Sequence, residues 1–266
     1  MTTARYLTPS LILTALGSCV DPAPDASRSR SDILTSSRRD PRVVSENRES
    51  AIRIADSALS DLTRDPDRGG SLRASRLVRE VASSPGGLDL LSLLIPCALS
   101  SGVSISIDSD LGEIEIPGEI GLAIEWAIRP LGAEGRGWVS ACVFSRLSGS
   151  NVAEAISARG GNPALRTDLL EREIWRVEEG AFFGSMFNPI RDPLAWAACR
   201  GRGSDSELAE RSCAVQDPDA PGLTMCGLRF SGECDEACDP GSGHYVRCRS
   251  RASADTETPI TIFLAR

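Results

Sequence analysis

The chain has no lysine, so all 29 of its basic side chains are arginines, and it has a single histidine. These gaps exclude Schiff-base and pyridoxal chemistry, a phosphate-loop lysine, a Ser-Lys dyad and any metal site built on two histidines. Aromatic residues are scarce at 5%, which leaves too little flat surface for a glycan groove or a base-stacking platform. Residues 81–266 carry 16 arginines against 26 acids. A body with that balance repels a phosphate backbone, so no nucleic-acid partner is expected. No apolar run approaches the roughly 20 residues of a membrane-spanning helix, and no segment recurs at a fixed period.

What the chain has in plenty is cysteine, nine in all. The first lies at the end of an export-like segment. Residues 1–5 are weakly basic, residues 6–18 are mostly apolar (Leu7, Leu11, Ile12, Leu13, Ala15, Leu16), and two small residues precede Cys19. That is the plan of a cleavable signal peptide spanning residues 1–18. Leu16-Gly17-Ser18-Cys19 resembles the lipobox of bacterial lipoproteins, departing from the commonest pattern at Gly17, where alanine or serine is usual. The resemblance implies cleavage before Cys19 and a diacylglycerol on its thiol, and hence attachment to a membrane through lipid. Val20 stands where an acidic residue would retain a Gram-negative lipoprotein in the inner membrane, which implies the outer membrane. The alternative is an ordinary signal with Cys19 a bystander, giving a secreted protein. Parity favours lipidation, because eight cysteines then remain, an even number that suits an exported, disulfide-paired protein.

Residues 19–48 read as the lipidated cysteine and a disordered tether. They are rich in Pro, Ser, Arg and Asp, with apolar residues only at intervals (Ile33, Leu34, Val43, Val44), too few to fold by burial. As a coil, residues 21–48 would span roughly 30 Å. Helical periodicity follows at Ala51, Ala55, Ala58 and Leu62, with Asn47 or Ser50 as cap, and again at Ala74, Leu77, Val78 and Val81, which predicts a helical segment over residues 49–84 packed on the body. Ser84-Pro85-Gly86-Gly87 marks a boundary, and residues 85–266 form the expected cysteine-rich domain.

Within that domain residues 88–99 read as a buried core helix. Val103-Ser104-Ile105-Ser106-Ile107 and Glu113-Ile114-Glu115-Ile116 alternate as two strands of a hairpin joined by residues 108–112. Residues 138–147 form a compact apolar segment, and strand-like pieces come at 152–156, 181–187, 223–230 and 260–264. Helices in the N-terminal half, with short strands and disulfide-stapled loops in the C-terminal half, predict an α+β fold.

Six of the eight remaining cysteines, Cys199, Cys213, Cys226, Cys234, Cys238 and Cys248, fall in a loop-rich stretch with little apolar content. Covalent staples, each worth about 2–4 kcal/mol, are the natural substitute for burial there. Cys97 and Cys142, each in an apolar segment, make the remaining couple. Proximity along the chain favours Cys97–Cys142, Cys199–Cys213, Cys226–Cys238 and Cys234–Cys248, one of 105 connectivities. A zinc site on Cys234 and Cys238 with Cys226 and Cys248 competes, and an oxidising compartment disfavours it.

The residues point to no cofactor and to no dominant catalytic site. His244, in Gly241-Ser242-Gly243-His244-Tyr245, is the one imidazole base for a hydrolase, and no Gly-x-Ser-x-Gly elbow singles out a nucleophile. Glu113 and Glu115 share a strand face and make a candidate acid pair, although alternation with isoleucine is what the solvent face of any half-buried strand looks like; Glu178 and Glu179, before an apolar run, are a second pair of acids. A calcium-dependent adhesion module is a third reading, resting on Asp108-Ser109-Asp110-Leu111-Gly112 and on Glu233, Asp235, Glu236 and Asp239, although no full EF-hand pattern is present.

The phrases Trp138-Val139-Ser140-Ala141-Cys142, Glu179-Gly180-Ala181-Phe182-Phe183-Gly184, Ala198-Cys199-Arg200-Gly201, Cys226-Gly227-Leu228-Arg229-Phe230 and Pro259-Ile260-Thr261-Ile262-Phe263-Leu264 resemble uncharacterised cysteine-rich lipoproteins of the myxobacterial type. That resemblance implies no activity. The sequence thus leads to an exported, lipid-anchored envelope protein with a binding or structural role and an envelope or extracellular partner.

Overall fold

The computed structural model describes residues 41–64, 70–109, 112–148, 154–188, 196–202, 213–249 and 256–265. The signal segment, Cys19 and residues 20–40 of the expected tether lie outside the described residues.

Folded chain begins at α1 (Pro41–Glu46) and α2 (Arg48–Ala55), which bury Val44, Ala51, Ile54 and Ala55. The tether expected to run to residue 48 therefore ends by residue 41, because Val43 and Val44 have a core to join. The helix expected through Leu62 stops at Ala55 with Asp56 as its cap, and Leu62 lies instead in β1 (Ser60–Arg64). Ala74 likewise ends β2 (Ser71–Ala74). The helix after it, α3 (Arg76–Ala82), starts where the Ser75 side chain accepts from the Val78 N–H at 3.5 Å; a serine there satisfies one of the orphan amides of the first turn.

The expected core helix is α4 (Gly87–Ala98). Its closing carbonyls are taken by the chain that returns after the hairpin: Ile120 N–H donates to Pro96 at 3.0 Å, Leu122 to Cys97 at 3.1 Å and Ala123 to Ala98 at 3.0 Å. The hairpin is β3 (Ser104–Ser109) and β4 (Gly112–Pro117), paired antiparallel with Ser109 opposite Gly112. β3 also runs parallel to β2, with α3 and α4 forming the crossover, so the sheet order is β1-β2-β3-β4. This β2–β3 ladder crosses residue 85, so residues 49–84 are part of the body and hold two strands as well as helices; hydrogen bonding, not the Pro-Gly break, decides the boundary.

The apolar segment at 138–147 belongs to α5 (Ala133–Ser145). Next come β5 (Ile156–Arg159), α6 (Leu169–Ile174), β6 (Trp175–Gly184), β7 (Trp196–Arg200), β8 (Arg229–Glu233), α7 (Cys234–Ala237), β9 (Cys238–Pro240), β10 (Tyr245–Arg249), β11 (Thr256–Glu257) and β12 (Ile260–Ala265). The strand expected over 223–230 begins only at Arg229, while Leu223 and Thr224 make isolated bridges within a turn. A five-stranded sheet runs β5-β12-β6-β7-β8 and a three-stranded one β11-β10-β9. The α+β class holds.

α4 packs on the first sheet and against α5, and α5 covers β6 and β12 of the second. Strand alternation then sorts the second sheet's side chains. Phe182 and Ala198 face α5 and the main core. Phe183, Ala197 and Cys199 face away, into a smaller core with Cys234, Cys238, Tyr245 and Cys248. At Gly180 the backbones are too close for a side chain, since a Cβ would stand 2.2 Å from the Cys199 carbonyl oxygen.

Candidate functional site

All eight cysteines beyond Cys19 are disulfide-bonded, as Cys97–Cys142, Cys199–Cys234, Cys213–Cys226 and Cys238–Cys248. Cys97–Cys142 ties α4 to α5 as expected. The other three pairings correct the expectation from sequence proximity. Parallel pairing of β7 with β8 sets Arg200 opposite Glu233, which brings Cys199 to Cys234 across 35 residues of chain. The β9–β10 hairpin puts Cys238 directly opposite Cys248, and Cys213 and Cys226 are left to close their own loop. Cys226 therefore has no part in a metal set with Cys234. Among the described residues the thiols near enough to share a metal are those of Cys199, Cys234 and Cys238, and each is in a disulfide.

The expected acid pair lies on the first sheet. Glu113 and Glu115 are exposed on one face of β4 and accept from the hydroxyls of Ser106 and Ser104 on β3. Glu115 borders an open cleft of about 430 Å³ between β4 and α4, whose apolar floor is Leu88, Pro96, Ile114 and Ile116 and whose ionisable groups are Asp89, Glu115 and Glu119. Among the described residues no arginine or histidine lines it. Glu119 is placed there by its own N–H, which donates to the Pro96 carbonyl at 3.2 Å. Behind the wall, Glu119 Oε2 stands 2.8 Å from Nη2 of Arg146, a side chain only 5% exposed. The contact is an ion pair without hydrogen-bond alignment, and Nε and Nη1 of Arg146 have no hydrogen-bond partner. A concave surface with three carboxylates and an apolar floor suits a cationic group carried on an apolar stem.

His244 is on the β9–β10 turn of the third sheet, so the structure does not bring it to Glu113 or Glu115. Of the acids expected to hold calcium, three meet arginines: Asp108 pairs with Arg73 at 2.7 Å, Glu233 with Arg200, and Asp235 with Arg202 through two hydrogen bonds of 2.7 and 2.8 Å. Asp110 lies outside the described residues.

Two networks were not visible beforehand. In the first, the Tyr245 hydroxyl donates toward Glu178 Oε1 at 2.9 Å and Asp235 Oδ1 at 3.1 Å, so one proton serves two carboxylates. Burial, reinforced by the two negative charges, holds the phenol well above its ordinary range. The Arg202 hydrogen bonds hold Asp235 below the usual carboxylate range. In the second, Ser157 Oγ donates to Glu171 Oε1 at 2.8 Å, and Arg159 reaches the Trp175 carbonyl at 2.6 Å with its guanidinium 3.7 Å from the Phe263 ring centroid. Burial raises Glu171 and lowers Arg159. One signal was legible. Consecutive strand residues face opposite ways, so of Glu178 and Glu179 one had to enter the interior; Glu179 is fully buried while Glu178 meets Tyr245.

Compared with protein-family models, curated proteins and solved structures, the chain matches none.

Proposed function

We propose that the protein is an exported envelope lipoprotein, acylated at Cys19 and held at the outer membrane, whose folded body is a binding module. The observation that carries the reading is the cysteine inventory. Eight cysteines are consumed in four disulfides, leaving Cys19, in the lipobox-like Leu16-Gly17-Ser18-Cys19, as the odd one. Four disulfides suit an oxidising compartment, and a leftover thiol at a lipobox is what acylation requires.

The acidic cleft between α4 and β4 is the binding site this reading assigns. Its ligand is a cationic group, either a free amine or guanidinium or one on a partner protein in the envelope.

Metabolic labelling with radioactive palmitate and membrane fractionation test the anchor. Label on the wild type and loss of both label and salt-resistant membrane association in Cys19→Ala are the expected results; no label on the wild type, or label retained by Cys19→Ala, contradicts the anchor. Calorimetric titration with arginine-containing peptides, repeated on Glu115→Gln, tests the cleft, and equal heats for the two proteins contradict it.

A further inference from the structure

Helix α6 is built inside out. Asp168 caps it by accepting from the Glu171 N–H at 2.7 Å, and Glu171 then turns inward, 6% exposed, to accept from Ser157. Successive helical residues are about 100° apart, so an inward Glu171 sends Leu169 to the opposite side and Leu170 to the flank. Leu169 is 80% exposed, Leu170 60% and Ile174 42%. Single exposed leucines are unremarkable. A helix that buries its glutamate while showing two leucines and an isoleucine to the outside is arranged for an apolar partner.

The surrounding charge says which. Arg166, Arg172 and Arg176 are exposed about the same turn, with Asp168 and Glu173 as the exposed acids. Arg172 Nε donates to Thr167 Oγ1 at 3.0 Å and Arg176 Nε to the Glu173 carbonyl. Among the described residues no carboxylate forms an ion pair with any of the three. Elsewhere Arg73, Arg76, Arg79, Arg200 and Arg202 each meet an acid, while Arg129, Arg247 and Arg249 are exposed without an ion pair among the described residues but beside no such helix. In a chain of net charge −8, the apolar patch is thus rimmed by a local excess of positive charge. Three side chains are too few for a protein interface, which needs about 800 Å² per partner. They suit shallow insertion at a bilayer surface where attraction of arginines to anionic headgroups adds to the buried apolar area.

We infer that α6 is a membrane-contact element: Leu169 and Leu170 enter the headgroup boundary of an anionic bilayer while Arg166, Arg172 and Arg176 meet the lipid phosphates. This rests on the envelope reading, in which the lipid on Cys19 is the second anchor. The polar network beneath gives the helix its orientation, since Ser157 and Arg159 hold the inward face and leave the leucines no other side to take.

The test uses the full chain carrying Cys19→Ser, so that no acyl group contributes. It is mixed with vesicles of phosphatidylcholine, alone or with phosphatidylglycerol, and sedimented. Binding to the phosphatidylglycerol vesicles that weakens with added salt is expected, together with a loss of at least about tenfold in Leu169→Ser/Leu170→Ser, two buried leucines being worth more than one decade. Arg172→Gln/Arg176→Gln should narrow the preference for the anionic vesicles. The substituted positions are exposed, and an unchanged melting temperature identifies the loss as one of binding. Absence of binding to both vesicles by the chain carrying Cys19→Ser alone, or equal binding by the leucine variant, overturns the proposal. So does a concentration-dependent dimer that the leucine variant abolishes, since the patch would then serve a second copy of the chain. Palmitate labelling at Cys19 is independent of these outcomes, so the anchor and the α6 contact stand or fall separately.

Discussion

Cys199 Sγ lies 3.6 Å from Cys238 Sγ, although the two belong to different disulfides. Two cystines in van der Waals contact inside the smaller core form a pair between which a single free thiol can travel. In Cys248→Ser, the Cys238 thiolate faces the Cys199–Cys234 bond. Attack on Cys199 Sγ forms a Cys199–Cys238 bond and releases Cys234 as thiolate. Peptide mapping of that variant should find both the original and the exchanged linkage, and mapping of the wild type should find Cys199–Cys234 and Cys238–Cys248 only. A wild-type map with Cys234 joined to Cys248 would refute the arrangement.

The four bridges close loops of different length, and the chain-entropy account ranks them. Cys97 and Cys142 are 45 residues apart, whereas Cys238 and Cys248 are 10 apart. Replacing the first pair by alanine should cost about 4 kcal/mol and the second about 3 kcal/mol. Urea unfolding of the two double variants measures the difference; a larger loss at Cys238–Cys248 would show that packing in the smaller core outweighs loop entropy.

Arg146 and Glu119 form an asymmetric pair, because the arginine side chain is 5% exposed and the glutamate 31%. Removing the carboxylate strands a buried charge, and removing the arginine strands a half-accessible one. Glu119→Gln should therefore destabilise by about 3 kcal/mol or more, and Arg146→Met by less, since methionine fills much of the same space. The reverse order in thermal denaturation would mean that the guanidinium is neutralised by something other than Glu119.

Glu171 gives stability a definite pH dependence. Burial raises its folded value above the ordinary 4.5. The fold therefore favours the protonated acid, whose contribution is complete below that ordinary value and is lost as pH rises through the raised one. Glu171→Gln does not titrate and its amide oxygen can still accept from Ser157. The stability gap between wild type and variant should therefore move in favour of the variant as pH climbs from about 4.5 toward neutrality. Denaturant midpoints across a pH series read this directly, and a constant gap would exclude Glu171 as the titrating group.

Legibility from sequence followed the range of the signal. α4 and the β3–β4 hairpin were readable because apolar periodicity is local. Leu62 and Ala74 were misplaced because a short, half-polar strand beside a helix continues the helical spacing by accident, and only the pairing of β1 with β2 and of β2 with β3 reveals it. The cysteine partners needed sheet order, since Cys199 finds Cys234 through the parallel ladder of β7 with β8. The α6 patch was invisible, because nothing local in Leu169-Leu170-Glu171 shows that the glutamate, held by Ser157, takes the inward face.

Strand β12 sits between β5 and β6 in the five-stranded sheet. β12 follows β6, β7 and β8 in the chain yet lies inside the sheet, so β5 has no sheet to join until residues 260–265 arrive. That edge of the sheet therefore stays open until then, while β1 to β4 and β6 to β8 find their neighbours earlier in the chain. On the export reading proposed above, that delay suits a chain that has to stay unfolded until it leaves a translocation channel.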